Sequence, residues 1–112
     1  MNKILLLTIM FSISGCTNNN SVDHLYPSED LVIENHDDWG AENYKKLIKE
    51  FKSSPLNYGD IVFLGNSITH EGKDWSKRLN YPNIRNRGIG GDVTDGVLAR
   101  INEITYFKPK AV

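Results

Sequence analysis

The chain has 112 residues, with 13 basic and 14 acidic side chains and a formal charge of −1. No basic patch or arginine-rich run occurs, which excludes nucleic acid as the expected partner. One cysteine, Cys16, excludes an intramolecular disulfide, and His24, His36 and His70 have neither metal-ligand spacing nor cysteine companions, so no metal or organic cofactor is expected.

The chain opens as a targeting segment. Lys3 supplies a positive start, Ile4 to Ile13 is apolar, and Ser14 and Gly15 are small. The apolar run is too short to span a bilayer. Ile13-Ser14-Gly15-Cys16 resembles a bacterial lipobox, which implies a signal peptide over residues 1–15 and a lipidated Cys16 at the mature amino terminus. Removing residues 1–15 takes away Lys3 and no acid, leaving 12 basic against 14 acidic side chains, a formal charge of −2. Thr17-Asn18-Asn19-Asn20-Ser21 is polar and aperiodic, as a tether between a lipid anchor and a folded domain would be. The expected location is the bacterial cell envelope, at a membrane surface. Residues 22–38 mix acids, Pro27 and the short apolar Leu31-Val32-Ile33, and read as an arm lying over the domain or a small extra strand.

From Trp39 the periodicity becomes helical. Tyr44, Leu47, Ile48 and Phe51 fall at i, i+3, i+4 and i+7, with Asp37 or Asp38 as cap. Ser53-Ser54-Pro55 ends that helix, and Asn57-Tyr58-Gly59 turns the chain into Ile61-Val62-Phe63-Leu64, four apolar residues expected to form a strand covered on both faces. Gly65 then permits a sharp turn onto Asn66 and Ser67 at the carboxyl end of that strand, where open α/β sheets bind ligands. His70 to Asp74 read as irregular. Trp75 and Leu79, at i and i+4, predict a helix packed on the sheet.

Ile84-Arg85-Asn86 is a short edge strand, followed by the glycine-rich loop Arg87-Gly88-Ile89-Gly90-Gly91-Asp92. Val93, Val97, Leu98, Ile101 and Ile104 mark one face of a further helix, with Asp92 or Thr94 as N-cap candidates. Lys108-Pro109-Lys110-Ala111-Val112 reads as a loop and the first residues of another strand. Alternating strands and helices predict a parallel α/β sheet. A dinucleotide cradle is disfavoured because Val93 stands where a G-x-G-x-x-G run requires its last glycine, and no P-loop run occurs.

Together, Gly65-Asn66-Ser67-Ile68-Thr69 and Asn86-x-Gly88-x-Gly90-Gly91-Asp92 closely resemble the first two sequence blocks of the SGNH (GDSL-type) esterases and acylhydrolases. The resemblance covers most of residues 39–112 and implies a flavodoxin-like three-layer sandwich, incomplete in this chain. It implies a serine esterase acting through an acyl-enzyme on short acyl esters such as acetyl groups, on a carbohydrate or another small polar molecule. Ser67 would be the nucleophile, and the amides of Ser67 and Gly91 would donate to the oxyanion. Gly88 and Gly90 would be conformational. Asn66 departs from the aspartate that is usual there.

The family's oxyanion asparagine block and its late Asp-x-x-His segment do not occur in these 112 residues. The expectation is therefore the amino-terminal part of such a domain, inactive by itself. A truncated lipoprotein or binding remnant without catalysis is the alternative. His70, although only three residues from Ser67, reads as a loop or substrate-lining residue rather than the base.

Overall fold

The computed structural model describes residues 22–112, so the expected signal peptide, the lipidated Cys16 and the tether at 17–21 lie outside the described residues. Among these residues a 3-10 turn at Val22–Leu25 precedes α1 (Asp38–Ser53), β1 (Ile61–Gly65), α2 (Ser67–Glu71), α3 (Trp75–Leu79), β2 (Ile84–Gly88), α4 (Thr94–Ala99) and α5 (Ile101–Phe107). The architecture is α/β, with a two-strand parallel sheet and five helices. No helix among the described residues is long and apolar enough to cross a membrane.

β1 and β2 run in register from Ile61 opposite Ile84 to Gly65 opposite Gly88. Successive amides of β1 point to opposite edges: Ile61 donates to the Asn83 carbonyl, and Val62 donates 2.9 Å to that of Ala111. Ala111 thereby forms an isolated parallel bridge to Ile61 on the other edge of β1. The strand expected near Lys108 to Val112 is present as this single bridge.

Helix α1 buries Tyr44, Leu47, Ile48 and Phe51, the four residues whose spacing predicts its inner face. Full burial of such side chains is worth ~2 kcal/mol each. Asp37 is its N-cap, accepting from the Gly40 amide at 2.6 Å, an interaction typically worth ~1 kcal/mol. Against this face pack Leu56, Val62, Ile89, Ile104 and Phe107. Leu25 and Tyr26 join the same core. Residues 22–38 are therefore an arm whose first turn is embedded in the domain, and they add no strand.

Several local expectations are corrected. Only Val62 of β1 is fully buried, because the sheet is narrow and Ile61, Phe63 and Leu64 remain partly open at its margins. His70 and Glu71 are helical, since α2 starts at Ser67 directly after the strand. In α3, Trp75 packs on Phe63 with ring centroids 5.0 Å apart, whereas Leu79 is exposed.

The helix expected from Val93 to Ile104 is two helices, α4 and α5, broken at Arg100. Leu98, in α4, is 62% exposed and does not share the buried face of α5. Val93, not Asp92 or Thr94, occupies the N-cap position of α4, and it makes no side-chain cap. Thr94 is the first helical residue, while Asp92 is drawn inward by partners that the local pattern does not contain.

Candidate active site

β1 ends at Gly65, and Asn66 and Ser67 follow at once, so the strand's carboxyl end delivers Ser67 as the first residue of α2. Asn66 occupies the N-cap position but makes no side-chain cap, and Ser67 is exposed. The first amides of a helix lack intrahelical acceptors, which leaves the Ser67 N–H outside the helical ladder. Gly65 has no room for a side chain, because an added Cβ would run into the Thr69 hydroxyl of the same turn.

β2 ends at Gly88, and hydrogen bonds hold the loop beyond it. The Ile89 amide donates 3.1 Å to the Gly65 carbonyl, and the Asp92 amide donates 3.2 Å to the Ile89 carbonyl. The Asn43 side-chain amide donates 2.8 Å to the Gly90 carbonyl. Among the described residues no acceptor takes the Gly91 amide.

Gly91 has φ +80°, and a Cβ there would approach Gly40 Cα and the Trp39 ring to 2.9 Å. Turn geometry and close approach alone therefore require glycine at 91. Gly88 has an ordinary φ; its constraint is packing against α2, where a Cβ would strike the His70 amide. The exposed Trp39 beside this loop is a neighbour that the helical pattern of α1 does not signal.

Between the two loops lies an open groove of about 430 Å³, lined by Gly65, Asn66, Asp92, Val93, Thr94 and Val97. Ser67 and Gly91 follow and precede lining residues but do not themselves line it. The fold thus brings the two sequence blocks to one end of the sheet.

Among the described residues no hydrogen bond joins the Ser67 side chain to His24, His36 or His70. His70 is packed with α2 against the glycine loop, and its Nδ1 accepts the Gly90 amide at 3.2 Å. In the neutral ring the other nitrogen then carries the proton, leaving no lone pair for a serine hydroxyl. The His36 side chain is 2% exposed, its Nε2 lies 3.0 Å from Asp92 Oδ1, and its ring is 5.0 Å from that of Tyr44. The Asp92 side chain is fully buried. His24 meets Tyr106 edge-on at 6.3 Å. Among the described residues no cluster of three or more His, Cys, Asp or Glu side chains could hold a metal ion.

Beneath the groove lies a buried polar cluster. Arg100 donates from Nε to Asp92 Oδ2 at 3.0 Å, from Nη1 to the Arg87 carbonyl at 2.7 Å and from Nη2 to the Gly65 carbonyl at 3.1 Å. The Asp92 carboxylate also accepts the Val93 amide at 2.9 Å. Burial pulls the Arg100 guanidinium below its ordinary pKa, with Asp92 opposing the fall. Tyr44 donates 2.8 Å to the Gly96 carbonyl. Burial, reinforced by the charge of Asp92, pushes its phenol up to about 12.

Asp92, Arg100 and His36 were not singled out by the motif reading as partners. The legible signal was Arg100 itself, a charged residue four positions before Ile104 on an otherwise apolar helical face. No known protein family and no curated protein matches this chain.

Proposed function

We propose that this chain carries the nucleophile portion of a serine carboxylic-ester hydrolase of the SGNH/GDSL type. The substrate would be a short acyl ester, such as an acetyl group on a carbohydrate or another small polar alcohol. The observation that carries the reading is an exposed serine at the first helical residue after a parallel strand, beside a glycine loop whose Gly91 amide has no acceptor among the described residues.

Attack by the Ser67 hydroxyl on the ester carbonyl would form a tetrahedral oxyanion, to which the Ser67 and Gly91 amides would donate. Each such donor is typically worth ~3 kcal/mol. Collapse would expel the alcohol and leave an acyl-serine for water to hydrolyse. By the resemblance, the base, its orienting acid and a further oxyanion donor would come from an asparagine block and an Asp-x-x-His segment, neither of which occurs in these 112 residues.

A flavodoxin-like three-layer sandwich is the larger fold we propose. In its support, β1 lies between β2 and the bridge at Ala111, the order such a sheet has at its first three strands. By the resemblance of Ile13-Ser14-Gly15-Cys16 to a lipobox, the whole would be anchored in the cell envelope through Cys16.

The occupied acceptor nitrogen of His70 and the burial of His36 favour a second reading for the 112 residues taken alone, a lipoprotein that binds without catalysing. Sequencing the transcript past the codon for Val112 separates the two. An open frame carrying an asparagine block and Asp-x-x-His, whose product hydrolyses p-nitrophenyl acetate only with Ser67 intact, supports the esterase. A stop codon at that point would remove catalysis from the reading.

A further inference from the structure

Three chain segments make the candidate site: the end of β1, the end of β2 and the residue after the glycine turn. A single side chain bonds to all three. The Arg100 guanidinium meets the Gly65 carbonyl, the Arg87 carbonyl and the Asp92 carboxylate, at 3.1, 2.7 and 3.0 Å. We propose that Arg100 is a positioning residue for the candidate site: held in orientation by Asp92, it fixes the Ser67 turn against the Gly91 loop, and His36 ties this clamp to the arm at residues 22–38.

The acceptors give the clamp its meaning. The Gly65 carbonyl belongs to the peptide plane that leads into Asn66 and Ser67. The Arg87 carbonyl belongs to the plane that leads into Gly88 and the glycine loop. Asp92 follows Gly91 directly. Restraining these three points restrains the Ser67 and Gly91 amides relative to one another, although Arg100 touches neither. Where donors must meet a reacting oxygen, a displacement of ~1 Å can cost ~100-fold in rate.

Burial explains why arginine is needed. The Arg100 side chain is 4% exposed and that of Asp92 is fully buried. A buried ion pair recovers little more than its own desolvation cost, so its presence is weak evidence for a role in stability. What distinguishes this pair is where the remaining donors go. A planar guanidinium sends N–H groups in fixed directions to separate acceptors, whereas an ammonium is a compact point charge. Lysine at 100 would keep the charge beside Asp92 and lose the simultaneous grip on both carbonyls.

Orientation comes from the other side of Asp92. Its Oδ2 receives Arg100, while its Oδ1 faces His36 Nε2 at 3.0 Å and accepts the Val93 amide. His36 is separated from Asp92 by 56 positions in the chain. The arm is thereby part of the support of the site as well as part of the core.

This inference rests on the esterase reading for its catalytic meaning, and its test keeps the two apart. Amide hydrogen exchange on the 112-residue chain, wild type against Arg100→Lys, reads the clamp whatever the chemistry. The Ile89 and Asp92 amides should exchange at least ~10-fold faster, while Leu47 and Ile48 in α1 keep their wild-type protection, as local opening requires. Unchanged exchange at Ile89 and Asp92, or an equal rise at Leu47 and Ile48, would overturn the clamp.

Millimolar phenylboronic acid, followed by ¹¹B NMR, then reads the nucleophile. A B–Oγ bond to Ser67 forms as the hydroxyl proton passes to buffer and boron becomes a tetrahedral anion. Capture is an equilibrium and requires no catalytic base. Loss of Ser67-dependent capture in Arg100→Lys, together with local opening, supports the positioning role; local opening with capture intact overturns it. Absence of capture by the wild type counts against the nucleophile reading alone and leaves the clamp to be judged by exchange.

Should Arg100→Lys not fold, His36→Phe retains the ring beside Tyr44 and removes only the bond to Asp92. A rise in exchange at Asp92 confined to the loop supports the relay from the arm. Wild-type exchange there would overturn it.

Discussion

Two buried arginine–carboxylate clusters meet at Arg87, whose side chain belongs to one and whose carbonyl accepts from the other, and they are built from the same chemistry to different ends. In one, Arg87 reaches Glu103 through Nε at 2.9 Å and Nη2 at 2.7 Å, and Glu103 also accepts the Tyr26 hydroxyl at 2.8 Å and the Leu56 amide at 3.2 Å. Arg87 also donates 2.9 Å to the Ser54 carbonyl, and its guanidinium lies 4.4 Å from the Phe51 ring. All of these partners are frame: the arm, the end of α1, the loop after it, and α5. In the other, Arg100 directs its remaining donors to the Gly65 and Arg87 carbonyls, where the candidate site's loops begin, while Asp92 accepts the Val93 amide and faces His36. The ion pair alone does not distinguish a brace for the core from a brace for the site; the acceptors of the leftover donors do.

The comparison is broken most severely at the frame. Glu103→Ala leaves Arg87 buried without its counter-charge and removes the acceptor of the Leu56 amide and the nearer acceptor of the Tyr26 hydroxyl. Loss of one partner from a buried pair typically costs ~3–5 kcal/mol, a large share of a small domain's ~5–15 kcal/mol. Urea denaturation should show most of the cooperative transition gone, and a near-normal midpoint would mean that the frame does not rest on this cluster.

Gly91→Ala sharpens the comparison from the side of the site. The substituted residue would have to hold φ +80° with its Cβ 2.9 Å from Gly40 Cα. We predict a loss of ~1–3 kcal/mol in the same titration, with the largest NMR shifts at Ile89 to Val93 rather than in α5.

Tyr44 and Tyr26 mark the two clusters in pH. Both phenols are raised from their ordinary value by burial, Tyr44 to about 12. A group whose folded pKa is raised favours the fold in its protonated form. Its contribution is complete below the unfolded value of 10.0 and is lost as pH rises toward the folded value. Unfolding free energy should therefore decline above pH 10.0, and in Tyr44→Phe the decline should be shallower by about one proton. At neutral pH that variant should lose only ~1 kcal/mol, from the bond to the Gly96 carbonyl. An unchanged slope would show that Tyr44 does not report on the Asp92 cluster.

The smallest effect belongs to Ser67→Ala. Ser67 is exposed, and its removal should change stability by less than about 0.5 kcal/mol. The same variant should abolish the capture of phenylboronic acid. A large loss of stability would make Ser67 a structural residue instead.

What could be read directly was local. The inner face of α1, its cap at one of the two aspartates Asp37 and Asp38, the turn at Gly59, β1 and the sharp exit at Gly65 all follow from neighbouring residues, and the structure contains each, with Asp37 as the cap. The neighbourhood of Ser67 and the glycine loop was also legible, because strand ends in parallel sheets gather loops at one side. The single helix expected after Asp92 was not correct, since an apolar period passes through Arg100 without registering that its guanidinium turns toward the carbonyls of two strands. Leu98 was assigned to the core for the same reason and is exposed.

The amino-acid sequence by itself determined α1, the strand β1 and where a serine and a glycine turn would emerge, because backbone preference and side-chain period act over a few residues. Only the tertiary structure decided what stands behind them. Charges enter a core when distant partners offset their desolvation, and the partners of Asp92, Arg100 and Glu103 come from segments far apart in the chain.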